Sequence, residues 1–270
     1  MRRALAIIGA AVLLMITGCS LNGATPVPPE PFSDFVVTES GGIDGRQNIV
    51  YVSADGVALR VSRQPASGRL SDQSLSRLRN LLTSAQFRKE VARDVQRKQR
   101  PPVPYCSDQI TTEVTMGSLS ITRSDPCREK SEPTPAFDEI LSIVALALQG
   151  HFDGPVDTAE PRLFPLRLER IQHQDQPAYV ITIDAAARAK IMISGRTSEW
   201  HALSVQQRDT VRLLVARVIE KPVEPCTSQP ASYQLQVEKE PAVEGPDCGF
   251  PQRQPEFRAL TVLLENAFGV

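Results

Sequence analysis

The sequence predicts an α+β fold made of two tandem related domains, each an antiparallel sheet with two helices on one face. Three observations carry this. First, four landmarks recur in one order at offsets of about 120–133 residues, the mark of an internal duplication. Second, each copy holds short apolar runs that alternate with polar residues and are broken by turn signals, as strands do. Third, each copy holds two segments with apolar residues at helical spacing, one in the middle and one at its end.

The landmarks are specific. NIVYV (Asn48–Val52) matches AYVIT and its continuation (Ala178–Ile183), and LSDQSLSRLRNLL from Leu70 matches LSVQQRDTVRLLV from Leu203. Cys106 and Cys127 are 21 residues apart, and Cys226 and Cys248 are 22 apart. PAFDEILSIV from Pro135 matches PEFRALTVLL from Pro255. The domains are set at 34–150 and 165–270, joined by a linker at 151–164 that carries Pro155 and Pro161.

In the first copy, Asp34–Thr38 reads as a strand, and Asn48–Ser53 and Val57–Ser62 flank the Asp55-Gly56 hairpin signal. Val57, Leu59 and Val61 alternate with Ala58, Arg60 and Ser62, so one face is expected inside and one outside. Ser71 suits an N-cap, and Leu75, Leu78, Leu81 and Leu82 share a helix face. The polar run Arg88–Arg100 prolongs that helix up to Pro101. It reads either as a solvated helix end or as a basic surface for anionic headgroups. Ile110–Thr115 and Leu119–Thr122 form a second hairpin about Gly117. A helix with Phe137, Ile140, Leu141, Val144 and Leu148 inside closes at Gly150. In the second copy Tyr179, Ile181 and Ile183 alternate and Lys190–Ser194 pairs back. Ser204 caps a helix with Val211, Leu214, Val215 and Val218 inside. Tyr233, Leu235 and Val237 alternate, and Phe257, Leu260, Leu264 and Phe268 line the last helix. Two helices cover one face of each sheet, which leaves the other either solvated or paired between the domains.

The N-terminus gives an address. Arg2 and Arg3 precede an apolar stretch, Ala4–Ile16, too short for the roughly 20 residues of a membrane span. It ends in Ile16-Thr17-Gly18-Cys19, which resembles the bacterial lipobox. Residues 1–18 are therefore expected to be a lipoprotein signal peptide and Cys19 a diacylated N-terminus, since two acyl chains give stable anchoring where one does not. The protein is placed on the extracytoplasmic face of a cell membrane. Residues 19–33, with Pro26, Pro28, Pro29 and Pro31, read as a Pro-rich tether. An exported compartment permits disulfides. The odd count of 5 cysteines then divides into one lipid anchor and the pairs Cys106–Cys127 and Cys226–Cys248. Free thiols or a metal site are the alternatives, and neither pair has CxxC spacing or a nearby His, which disfavours zinc.

Among 270 residues, 41% are hydrophobic and 23% charged, with a formal net charge of -1, so the chain is globular and carries no basic field for nucleic acid. The 3 histidines, His151, His173 and His201, sit in no metal-binding spacing. No GxSxG elbow, P-loop or GxGxxG is present. The reading is non-enzymatic, with no cofactor and no metal.

At Phe35–Val52 the sequence FVVTESGGIDGRQNIVYV, followed by an ADG hairpin and a Leu-Ser-started helix, resembles the emfourin-type domain. That family includes protein inhibitors of thermolysin-like metallopeptidases such as protealysin. The resemblance covers about Phe35–Leu148. It implies an inhibitor or protein-binding module whose contact loop is Ser40, Gly41, Gly42, Ile43, Asp44 and Gly45. The same glycines also suit a tight strand-to-strand connection. The second copy has Ile171-Gln172-His173 where the first has Ser-Gly-Gly, so its loop is degenerate. The rival reading is a cell-envelope scaffold or small-ligand-binding lipoprotein without inhibitory activity.

Overall fold

The computed structural model describes residues 27–41, 46–99, 109–124, 133–156, 165–171, 178–220, 231–238, 243–246 and 255–269. Within them the chain is α+β, with two antiparallel sheets and helices against them. The first sheet is built from β1 (Phe35–Gly41), β2 (Arg46–Val52), β3 (Val57–Val61), β4 (Ala66–Arg69), β5 (Ile110–Met116) and β6 (Leu119–Ser124). The second is built from β7 (Leu166–Arg170), β8 (Tyr179–Ile183), β9 (Arg188–Ile193), β10 (Arg196–Thr197), β12 (Ala231–Val237) and β13 (Val243–Pro246), with β11 (His201–Ala202) pairing separately on β9. The strand orders, β4-β3-β2-β1-β5-β6 and β10-β9-β8-β7-β12-β13, are the same permutation. The register agrees as well: Phe35 pairs with Val52 and Val52 with Ala58, as Leu166 pairs with Ile183 and Ile183 with Ala189.

The helices are α1 (Asp72–Leu82), α2 (Ala85–Lys98), α3 (Pro135–Leu148), α4 (Val205–Glu220) and α5 (Pro255–Phe268). Their ends follow from local chemistry. The Ser71 hydroxyl accepts from the Ser74 N–H at 3.2 Å, and the Ser204 hydroxyl accepts from the Gln207 N–H at 3.1 Å while Gln207 takes the Ser204 N–H at 2.9 Å, a reciprocal capping box. Both α3 and α5 start on a proline, whose missing N–H is no loss there. Gly150, at φ +82, ends α3 with the His151 N–H returning 2.8 Å to the Leu146 carbonyl, a Schellman close.

The two sheets do not bury their faces alike. Phe35, Val37, Val50, Val52, Ala58, Val114, Met116 and Ile121 face α1, α2 and α3 in one core. Val36, Ile49, Tyr51, Val57, Leu59 and Val61, on the other face of the same sheet, enter a second core with α4, α5 and the inner face of the second sheet. The layers are therefore helices, first sheet, helices, second sheet. Of the two outcomes left open for the uncovered sheet face, pairing between the domains is the one realised in the first repeat. The alternation over 57–61 pointed to one buried and one solvated face; Val57, Leu59 and Val61 are buried as expected, against the second repeat, but Ala58 on the other face is buried as well, in the core with α1–α3. The near-continuous apolar runs in β1–β3 are what a sheet covered on both sides requires. α5 lies between two sheets and is buried from Pro255 through Leu264 except at Arg258, whereas its counterpart α3 exposes Leu146.

The first repeat has a third helix where a polar extension of α1 was expected. Ser84 caps α2 by accepting from the Phe87 N–H at 3.0 Å, and Glu90 and Asp94 are buried within it. Glu90 accepts from the Ala136 and Phe137 N–H groups at 3.1 and 3.0 Å, taking the place of the absent Thr134 side-chain cap on α3. Asp94 accepts from the Thr122 N–H at 3.0 Å on the outer side of β6, and Arg97 donates to the Thr122 carbonyl. The open edge of β6 is thereby occupied, which removes a site for stray strand pairing. The other edge, β4, is closed by the start of the expected linker. Arg69 bridges Gly154, Phe152 packs over Gly68, and Asp153 accepts from the Ser71 N–H at 2.7 Å.

Candidate functional site

The candidate contact loop springs from the end of β1. Ser40 pairs with Gln47 on β2 and Thr111 on β5; Gly41 pairs with Arg46 and Ile110. Gly41 has φ +104, and a Cβ built there would overlap the Gln109 carbonyl oxygen. Glycine is thus required at this position twice over, by dihedral and by close backbone approach. Gly42, Ile43, Asp44 and Gly45 lie outside the described residues, as do Cys19, Cys106, Cys127, Cys226 and Cys248. Ile110, opposite Gly41, is 49% exposed and leaves an apolar side chain at this end of the sheet.

The opposite end of β1 is pinned. Asp34 accepts from the Tyr51 hydroxyl and, at 2.8 Å, from the Ala54 N–H. Burial first, and then the Asp34 charge, push the Tyr51 phenol well above its ordinary pKa, so it stays a proton donor. In the β2–β3 turn, the Asp55 carboxylate accepts from the Ser53 hydroxyl and from Arg217 of α4, whose Nη2 lies 3.0 and 2.9 Å from its two oxygens. Burial opposes the Asp55 charge, but the Ser53 and Arg217 hydrogen bonds outweigh it and hold the carboxyl below its usual range. Part of the expected tether also docks here. Val27 and Phe32 pack on the first core, Arg79 lies over the Phe32 ring at 5.2 Å, and Glu30 accepts from the Ser118 N–H at 3.1 Å.

The corresponding end of β7 in the second repeat is locked rather than carried on glycine. Glu265 of α5 accepts from the Tyr179 hydroxyl at 2.7 Å and the Tyr233 hydroxyl at 3.4 Å, and Arg170 lies 3.2 Å away with its guanidinium over the Tyr179 ring at 4.4 Å. Burial raises the Glu265 carboxyl above its ordinary value in spite of these partners. Ile171, where the first copy has Ser40, is exposed, and Gln172 and His173 lie outside the described residues.

Three basic residues of the run on α2 are engaged by groups of the fold, while Lys89 is exposed. Arg97 and Lys98 hold Asp94, Lys98 also reaches the Thr122 hydroxyl at 2.9 Å, and Arg88 donates to the Thr83 carbonyl at 2.6 Å. His151 and His201 are both exposed. Among the described residues, no group of three metal-ligating side chains converges, and no helix is long and apolar enough to cross a membrane. The sequence reading singled out neither Glu90 nor Glu265: a buried carboxylate looks like any surface acid until its distant partners are known.

No family model matches the chain, and neither a curated protein nor a solved structure matches it.

Proposed function

We propose that the chain is a lipid-anchored, extracytoplasmic protein-binding module built from two emfourin-like repeats, and that it acts as an inhibitor of a thermolysin-like metallopeptidase. The observation that carries this reading is the placement of the two ends of β1. The segment leading back to Cys19 is fixed at Asp34, and the Ser40–Gly41 hairpin stands at the far end, about 20 Å away along seven residues of strand. Gly41, where the loop leaves β1, is set by the Gln109 carbonyl, and a contact loop whose base is fixed before binding loses less entropy on meeting a partner. Occlusion by that loop requires no catalytic group. The partners are a membrane, through diacylglyceryl-Cys19, and a peptidase; nucleic acid is not among them. The within-repeat bridges Cys106–Cys127 and Cys226–Cys248 are supported by the antiparallel pairing of β5 with β6 and of β12 with β13, in which the start of one strand lies beside the end of the other.

The rival reading, an envelope scaffold or small-ligand-binding lipoprotein without inhibitory activity, is favoured by one fact. The Gly41 conformation is already explained by the close approach of β5. A titration separates the two. The protein should inhibit a thermolysin-like peptidase at stoichiometric concentration, and Gly42→Arg should abolish inhibition without changing thermal stability. Full peptidase activity at every concentration supports the scaffold instead. Cys19→Ala should move the protein out of the membrane fraction; retention there refutes the anchor. Non-reducing peptide mapping should yield one bridge within each repeat, and a bridge between repeats refutes the pairing.

A further inference from the structure

We propose that Val27–Asp34 is an orienting strap that turns the β5–β6 turn of the first repeat toward the bilayer and holds the Gly41 hairpin away from it. This rests on the lipid at Cys19 proposed above and adds an orientation to it. The strap is fixed at three points on one end of the first sheet. Glu30 takes the Ser118 N–H and hydroxyl in the β5–β6 turn. Phe32 sits between the Phe35 ring, 6.3 Å away, and the Arg79 guanidinium. Asp34 takes the Tyr51 hydroxyl and the Ala54 N–H beside the β2–β3 turn.

Docking these residues shortens the leash. A chain free from Ser20 to Asp34 would reach about 50 Å, but with Val27 onward bound to the fold only Ser20–Pro26 remains, reaching at most about 25 Å. That is close to the length of β1 itself. The strapped end therefore stays near the lipid surface, and a partner of the hairpin is met from the aqueous side.

The test uses the full lipoprotein in vesicles that carry a headgroup-labelled acceptor lipid. A fluorescent amino acid replaces either Gln73, exposed in the first turn of α1, whose neighbours Leu70 and Leu75 lie against Gly56 at the strapped end, or Arg63, exposed beyond Val61 toward the other end. Energy transfer should be greater from position 73 than from position 63. That difference should be lost in Glu30→Lys/Phe32→Ser, and also when a long Gly-Ser insertion follows Asn22, which lengthens the leash without touching the fold. Equal transfer from both positions in the otherwise unaltered protein overturns the orientation. A difference that survives both changes overturns the role of the strap. Protein that fails to float with the vesicles refutes the lipid anchor itself, and the strap proposal falls with it.

Discussion

Ala187 occupies in the second repeat the position that Gly56 occupies in the first. Each is the last residue of a turn between equivalent strands, and each carbonyl accepts a 3.0 Å hydrogen bond from the leucine that precedes the next helix, Leu203 or Leu70. The turns share their internal chemistry too: the Ser53 hydroxyl takes the Val57 N–H at 3.0 Å, and Asp184 takes the Arg188 N–H at 2.9 Å. Both backbones are left-handed, with φ +87 at Gly56 and +58 at Ala187. An alanine in that region costs about 1–2 kcal/mol, partly offset by the extra freedom a glycine has when unfolded. Ala187→Gly should therefore stabilise the protein by about 0.5–1 kcal/mol, read as a higher melting temperature. An unchanged or lower value would show that the turn relaxes around alanine.

The stacked repeats make equivalent positions unequal. Leu59 and Lys190 fall at the same register on β3 and β9, but Leu59 is fully buried against the second repeat while Lys190 faces outward, 4.6 Å from the Trp200 ring. Leu59→Lys would put an unpaired charge between two apolar layers, at a cost of about 3–5 kcal/mol. Lys190→Leu forfeits only a half-exposed cation–π contact, under about 1 kcal/mol. Urea unfolding of the two variants measures the contrast. Because one core spans both repeats, circular dichroism and emission from the single Trp200 should report one shared transition in the parent protein. Separate transitions would mean the interface is too weak to couple the repeats.

Glu90 tests how α3 is held. It is 1% exposed and serves the Ala136 and Phe137 N–H groups together. Alanine there strands two buried donors, and each costs about 1–3 kcal/mol. Glu90→Ala should lower the denaturation midpoint markedly and speed hydrogen exchange at Ala136 and Phe137, with Glu90→Gln in between. Unaltered exchange at both amides would refute the cap.

Much of this arrangement is legible in the amino-acid sequence. The duplication showed because Pro135 and Pro255, Leu70 and Leu203, and β2 and β8 repeat in order. The helix ends were written locally, in Ser71, Ser204 and Gly150. α2 was hidden for a physical reason. Its acids are satisfied by backbone groups at positions 122, 136 and 137, far along the chain, and local charge patterning reads such residues as solvated. The stack was half visible. The sequence FVV in β1 and IVYV in β2 has no polar side to give to water, yet alternation over 57–61 suggested one. What covers a sheet depends on the other repeat's helices, and no window of neighbouring residues contains them. Of the candidate loop, Ser40 and Gly41 lie within β1, which runs three residues past the strand end expected at Thr38 because both are paired to β2 and β5.

Glu265 supplies a pH signature. Unfolded, it titrates near the ordinary glutamate value of about 4.3. In the fold, burial beside Tyr179, Tyr233 and Arg170 moves it upward. Between those two values the folded protein keeps a proton that the unfolded chain has released, so stability falls as pH rises across the interval. The stabilising share is full below about pH 4.3 and is gone above the folded value. Glu265→Gln retains an oxygen for the two phenols but cannot titrate. Melting temperatures of the parent and this variant should diverge as pH rises from about 4.3 through the interval up to the raised folded value, with the parent losing ground. Parallel curves would show that Glu265 ionises in the fold as it does in the open chain, with the Tyr179 hydrogen bond and Arg170 together compensating its burial.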